Sequence, residues 1–313
     1  MEASASRERR SGCARDEDSR GAAVTAVERT PLSLERAHWQ QSLQGDIGER
    51  LTFARKQNER DPTLRRAVVL EEVASTQDAP ETITARTGTI VTALRQTRGR
   101  GRLGREWADT NDDGLALTCV LASNPWSDPS TSVELLAVAS AVAAARAIEH
   151  VLGGVVGIKW PNDLVLRGRK LGGILIERNR DRTLLGIGIN VHQRTFPHEL
   201  QATATSIAQV AADTESLTRL QVLRALMQEL EVVLAMDAAR ILSAYHSRDV
   251  LTGTRAEFAT PTGAVEGEVC SVDPLRGLVV RTKTSEQFLP AATTSVTSWN
   301  RAAAIEETTG QRR

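Results

Sequence analysis

The chain has 313 residues, long enough for one large core or two domains, and its 41% apolar and 25% charged content is that of a folded globular protein. Lysine plus arginine equals aspartate plus glutamate at 39 each, so no global field draws the chain to nucleic acid or to an anionic membrane, and any anion site must be local. The cysteines Cys13, Cys119 and Cys270 are scattered and lack metal-ligand spacing, which argues against a disulfide framework or a zinc site and for a reducing cytoplasm.

Residues 1–30 mix both charges with Ser, Gly and Ala, show no sustained periodicity, and read as a disordered tail dispensable for function. They contain no hydrophobic signal core. Residues 31–64 carry weak helical patterning, with Leu34, Trp39, Leu43, Ile47, Leu51 and Phe53 as core contacts and Asp61-Pro62 as the stop. Three short apolar runs, Ala67–Val73, Thr89–Leu94 and Gly114–Leu121, are bounded by turn residues and predict strands. Thr131-Ser132-Val133-Glu134 has the capping-box pattern and opens a helix to about Leu152. Its most apolar part, Leu135–Ala145, holds Ser140 and is followed by Arg146, which reads as a buried helix rather than a membrane span.

Val155–Lys159, Leu164–Arg167, Lys170–Ile176 and Leu184–Val191 then predict four successive strands, with Gly168 supplying a turn. Leu217, Leu220, Leu223, Met227, Leu230 and Leu234 mark an amphipathic helix. After Val250 the pattern changes to short β runs at Arg255–Phe258, Val265–Val272, Gly277–Thr282 and Gln287–Leu289, punctuated by Pro and Gly. These predict a small β-barrel over 249–301, after a main domain over 65–248 and before a tail at 302–313.

Between the second and third predicted strands lies Gln96–Trp107, QTRGRGRLGREW. Gly99, Gly101 and Gly104 let the backbone turn and approach a ligand. Arg98, Arg100, Arg102 and Arg105 supply planar cations suited to phosphate or carboxylate. The pattern fits a mobile loop closing over an anion, and equally an RG-rich RNA-binding segment. Its place between two strands of a folded region favours the loop. The chain has no Walker A motif, and Gly99-Arg100-Gly101 does not continue into a dinucleotide fingerprint.

QTRGRGRLGREW, KWPND (Lys159–Asp163), KLGGILIE (Lys170–Glu177) and GIGIN (Gly186–Asn190) together resemble the biotin–protein ligase family in order and approximate spacing, over about Val68 to Trp299. The resemblance implies an α/β (α+β) fold: a mixed-sheet catalytic domain of the biotin/lipoate ligase type with a small SH3-like barrel after it. It also implies formation of biotinyl-AMP from biotin and ATP, with Mg²⁺, and transfer of biotin to a lysine of a biotin carboxyl carrier protein. A homodimer is left open. No DNA-binding winged helix is evident in residues 31–64, so the form without a repressor domain is expected, with no nucleic-acid or membrane partner.

By the same resemblance Lys170 lies where the biotin carboxylate meets the α-phosphate, and Arg102 holds the adenylate phosphate; these are the catalytic cations. Ser75, Thr76, Gln77, Gln96, Arg100, Gly101 and Gly173 complete the biotin set, and Arg105, Trp107, Lys159, Asn162 and Asn190 the nucleotide set. Read as residues, Ser75-Thr76 suits a helix N-cap as well as a ligand, and Trp160 suits packing. Asp163 suits either orienting Asn162 or holding Mg²⁺. Gln77 stands where asparagine is usual and Arg98 where a small residue is common. The rivals are a lipoate or octanoate ligase of the same fold, a biotin-sensing DNA-binding repressor, and an RNA-binding protein using the RG loop.

Overall fold

In the structure, a computed structural model, residues 31–57, 63–107, 113–124, 126, 134–179, 181–211 and 217–300 are described. The expected tails at 1–30 and 302–313, the Leu51 and Phe53 contacts, the Asp61-Pro62 stop and the Thr131–Val133 half of the capping box fall outside the described residues or side chains.

The chain begins with α1 (Leu32–Gln57), β1 (Arg66–Val73), α2 (Pro80–Thr84) and β2 (Thr89–Gln96). The RG segment holds two short strands, β3 (Gly99–Arg100) and β4 (Glu106–Trp107), and is followed by β5 (Gly114–Ala122) and α3 (Glu134–Leu152). Next come β6 (Gly157–Lys159), β7 (Asp163–Leu166), β8 (Arg169–Asn179) and β9 (Arg182–Asn190), then α4 (Ile207–Val210), α5 (Arg219–Leu234) and α6 (Ala238–His246). The last strands are β10 (Arg255–Thr260), β11 (Gly263–Asp273), β12 (Gly277–Arg281), β13 (Glu286–Pro290) and β14 (Ser295–Trp299). Sequence reading places most of the longer elements within a few residues; it does not anticipate the short α2, β3, β4 and α4, nor α6 or β14.

Seven strands form one mixed sheet in the order β1-β2-β5-β9-β8-β7-β6, parallel at β1–β2 and antiparallel elsewhere. β2 and β5 are buried almost throughout, as strands covered on both faces are. α3 and α5 cover one face. α3 is long and apolar enough to cross a bilayer, yet most of it is buried in the core, where its alanines let α5 and α6 approach. Cys119 in β5 is fully enclosed, and burial together with Glu231 pushes its thiol up to about 12, so it is chemically quiet.

α1 is part of this core. Trp39, Leu43 and Ile47 are buried, and Gln40 binds the backbone of edge strand β1 through both ends of its amide, at Ala67 O (2.7 Å) and Val69 N (2.8 Å). Arg219, at the start of α5, is buried beneath it. Its guanidinium donates to Leu94 O (2.6 Å) and Gly114 O (3.2 Å), pairs with Glu35 (2.8 Å) and lies 5.2 Å from the Trp39 ring centre. One side chain thus joins α1, β2, α5 and the start of β5.

The second sheet is five-stranded and antiparallel, ordered β13-β12-β11-β10-β14, around Phe258, Val269, Leu278 and Val280. It is tied to the edge of the first sheet. Ile158 donates to Arg248 O (2.7 Å) and accepts from Val250 N (3.2 Å), and Arg248 forks onto Glu149 at 3.0 and 2.7 Å. This anchoring brings β14 beside the loops of the large sheet.

Candidate active site

The RG segment folds as a hairpin in which Gly99 faces Trp107 and Arg100 faces Glu106. The turn is made by Leu103 and Gly104 at φ 56° and 73°, a left-handed conformation that favours glycine at the second position. Gly99 is constrained for a different reason: a Cβ there would stand 2.9 Å from Trp107 Cβ and 3.0 Å from Trp107 O, and would displace the Gln96 amide. Arg100, expected to face biotin, pairs with Asp78 (3.1 Å) and with Glu177 of β8, and so clamps the hairpin to the sheet. Arg102 donates to Ala291 O at 2.8 Å, joining the hairpin to the small sheet. Burial lowers its pKa, Asp163 opposes that shift, and Arg105 adds to it.

Behind the hairpin, Ser75, Thr76 and Gln77 are buried where the chain leaves β1. They do not cap α2, whose N-cap is Ala79. Gln96 Oε1 accepts from Thr76 N (2.9 Å) and Thr76 Oγ1 (3.2 Å), and Thr76 Oγ1 accepts from Thr118 Oγ1 (2.9 Å). Thr118 was not foreseen, although a lone threonine in the apolar run of β5 was its signal. Gln77 fits because Gly186 has no side chain: a Cβ there would meet Gln77 Oε1 at 2.8 Å. The buried Gln77 Nε2 has no hydrogen-bond partner among the described residues.

The charged end is built on the β7–β8 hairpin. Arg167 and Gly168 both take positive φ, as a two-residue hairpin turn requires. A register shift at Leu164/Val165 re-aims the strand, and the Lys170 backbone is fixed by Thr203 O (2.7 Å) and Thr205 N (2.8 Å). Lys170 Nζ lies 2.7 Å from Asp163 Oδ1, and Lys159 Nζ lies 2.8 Å from Asp163 Oδ2. Burial pushes the Asp163 carboxyl up, but the Lys170 and Lys159 ammoniums outweigh it and hold it down at about 2. Asp163 therefore orients two lysines, a role neither sequence reading had given it.

Lys170 also stands 5.5 Å from the Trp107 ring centre, within cation–π range. The indole lies against Gly188, where a Cβ would approach Cε2 to 2.8 Å, and beside Gly173, where a Cβ would be at an ordinary 3.6 Å. Gly172 is constrained by the sheet itself, since its Cβ would meet Gly188 O at 2.7 Å.

Two cavities flank Trp107 and Lys170. One, of about 140 Å³, is lined by the Ser75–Gln77 corner and Gln96, and by Arg100, Gly101, Arg102, Arg105, Lys159, Asn162, Asp163, Lys170 and Gly173. Asp163 and Glu106 are its only carboxylates among the described residues, against five cations, so it favours anions. The other, of about 330 Å³, shares Arg105, Trp107, Lys159, Asp163 and Lys170 and adds Asn190. The two asparagines are bonded to backbone: Asn162 Nδ2 donates to Ile174 O (2.7 Å) and Asn190 Nδ2 to Thr205 O (2.9 Å). Trp160 is fully buried, as expected of a packing residue.

The mixed sheet thus carries a cavity that is polar at one end and cationic at the other, with a glycine–arginine hairpin along it and a second cavity beside it. Residues 71–193 match the biotin/lipoate A/B protein ligase family. The chain is 38% identical over 133 residues to the bifunctional ligase/repressor BirA of Bacillus subtilis, a match covering 40% of each chain. It is 31% identical over 182 residues to the biotin–[acetyl-CoA-carboxylase] ligase of Mycobacterium tuberculosis, covering 56% of this chain and 66% of that one. The biotin protein ligase of Aquifex aeolicus, solved in complex with biotin and ATP, superposes with a TM-score of 0.65 at 25% identity, over 74% of this chain and 97% of that one. The chain belongs to the biotin protein ligase family.

Proposed function

We propose that the chain is an ATP-dependent biotin–protein ligase that forms biotinyl-5′-AMP and passes biotin to a lysine of a biotin carboxyl carrier domain. The observation that carries this reading is the pair of cavities meeting at Lys170, Asp163 and Trp107. The smaller offers hydrogen-bonding groups at one end, suited to a neutral ureido ring, and cations suited to a carboxylate. The larger has room for a nucleotide. The names of the relatives and the ligands of the Aquifex neighbour point the same way.

In the first step a biotin carboxylate oxygen bonds to the α-phosphorus as the bond to the β-phosphate oxygen breaks, releasing pyrophosphate. Two anions must be held in contact while charge builds on phosphorus, which favours preorganised cations over a protein nucleophile. Lys170 and Arg102 are the groups we assign to that charge, with Asp163 and Trp107 fixing Lys170. In the second step the carrier's lysine nitrogen bonds to the acyl carbon, AMP leaves, and the ammonium proton passes to solvent. Both Asp163 oxygens are engaged by lysines, so the carboxylate does not fit a metal ligand; Mg²⁺ is better carried by the nucleotide phosphates. A lipoyl or octanoyl chain would leave the Thr118–Thr76–Gln96 network and Gln77 Nε2 without a polar ligand. The family and the quiet buried thiol suit a cytoplasmic enzyme.

The test is incubation with ATP and either biotin or lipoate, followed by mass spectrometry for the acyl-AMP. Biotinyl-AMP alone is expected; lipoyl-AMP alone would overturn the assignment.

A further inference from the structure

The cavity at the charged end has a wall that no family motif supplies. Thr294, Ser295 and Val296, at the start of β14 in the small sheet, line it together with Arg102, Asp163 and Lys170. Thr294 is fully buried, and its Oγ1 has no hydrogen-bond partner among the described residues. Buried hydroxyls are normally paired, and one left alone destabilises a fold unless something else completes it. The turn itself is anchored in the small sheet: Ala291 N donates to Arg276 O (2.9 Å), Thr293 N to Pro290 O (3.4 Å), and Ser295 and Val296 pair with Ala259 and Phe258 of β10. The turn is therefore held in place with one hydroxyl to spare.

Its neighbours say what that hydroxyl meets. Ala291, three residues before it, accepts the Arg102 guanidinium at 2.8 Å. Val296, two residues after it, lines both cavities alongside Lys170 and Asp163. Thr294 thus belongs to the end where anions are expected, and an O–H is a donor suited to an anionic oxygen. We propose that Thr294 is a substrate-binding residue whose hydroxyl donates to an oxygen of the acyl-phosphate group of biotinyl-AMP, so that the small β domain directly holds the intermediate. This rests on the ligase reading above.

The experiment compares the full chain with Thr294→Val, which keeps the shape, and Thr294→Ser, which keeps the hydroxyl. Titration calorimetry with biotinyl-AMP and with biotin alone, and melting of the ligand-free proteins, are the readouts. Thr294→Val is expected to weaken biotinyl-AMP binding by about 10- to 100-fold, the range for a hydrogen bond to a charged group. It should leave biotin binding within about twofold and melt no lower than the wild type. Thr294→Ser should recover most of the loss. Unchanged biotinyl-AMP affinity in Thr294→Val overturns the proposal, as does equal weakening in both variants, which would mean that shape is what counts. A much lower melting point for ligand-free Thr294→Val would show that the hydroxyl serves the fold, and also overturns it. Failure of the wild type to bind biotinyl-AMP would instead overturn the ligase reading on which the proposal stands.

Discussion

Asp163 reaches Lys170 at 2.7 Å with one oxygen and Lys159 at 2.8 Å with the other, so a single carboxylate sets the position of the ammonium assigned to the reacting anions. A lysine has a long flexible stem, and its placement over Trp107 would otherwise be one choice among several rotamers.

Asp163→Asn should therefore lower kcat more than it raises KM for biotin, since the positive charge that attracts the carboxylate remains while its aim is lost. A fall in kcat of about 10²-fold is expected. Stability follows from the same group. Its folded pKa, about 2, lies below the ordinary 3.8, so ionised Asp163 stabilises the fold above 3.8 and that contribution is lost as pH falls through about 2. Urea unfolding of wild type and variant should show a constant gap at mildly acidic and neutral pH that closes between those two values. A gap that instead closed near neutrality would assign the effect to another group.

Gly188 and Gly173 should respond unequally to a methyl group. A Cβ at 188 would press on the Trp107 indole at 2.8 Å, whereas at 173 the nearest atoms, on Lys170 and Trp107, are at 3.5 and 3.6 Å. Gly188→Ala is expected to cost about 1–3 kcal/mol of stability or to displace the indole. Gly173→Ala should fold normally. Tryptophan fluorescence and urea unfolding together separate the two, and equal effects would mean that the indole does not occupy this place.

Arg102 and Lys170 should fail differently. Lys170→Ala removes one preorganised charge from the reacting centre, and biotinyl-AMP formation should slow by about 10²–10³-fold. Arg102→Gly removes a charge and also the 2.8 Å bond to Ala291 O that ties the hairpin to the small sheet. That variant should still make some of the intermediate, more slowly than wild type, but release it early, and a free mixed anhydride acylates exposed lysines. Biotin on a non-carrier protein such as albumin measures this. No more stray labelling from Arg102→Gly than from Lys170→Ala would show that the hairpin is not a clasp.

Arg219→Ala should be the most damaging of these changes to the fold. It leaves the Leu94 and Gly114 carbonyls short of their donor and Glu35 without its partner, with an expected loss of about 3–5 kcal/mol. Arg219→Lys should recover only part, because an ammonium lacks the planar fork and stacks poorly on Trp39. Urea midpoints of the three proteins settle the order, and full recovery by lysine would mean that charge alone matters.

The sequence by itself determined the residues that carry chemistry and most of the elements that present them. Period, turn residues and motif order are local properties, so Lys170 after a Gly168 turn, Gln96 at a strand end and the RG segment were visible in one dimension. The tertiary structure decided what those residues do for one another. Arg100, a biotin contact by resemblance, lines the cavity while its pairs with Asp78 and Glu177 hold the hairpin on the sheet; Asp163, which by sequence suits a metal or an asparagine partner, holds two lysines. Arg219 and Thr294 carried no signal at all, because their partners and neighbours lie in distant parts of the chain, and Arg102 reaches a carbonyl 189 positions away. Such contacts follow from the order of strands in a sheet and from the docking of one sheet on another. Those are set by packing of the whole core, which no window of sequence contains.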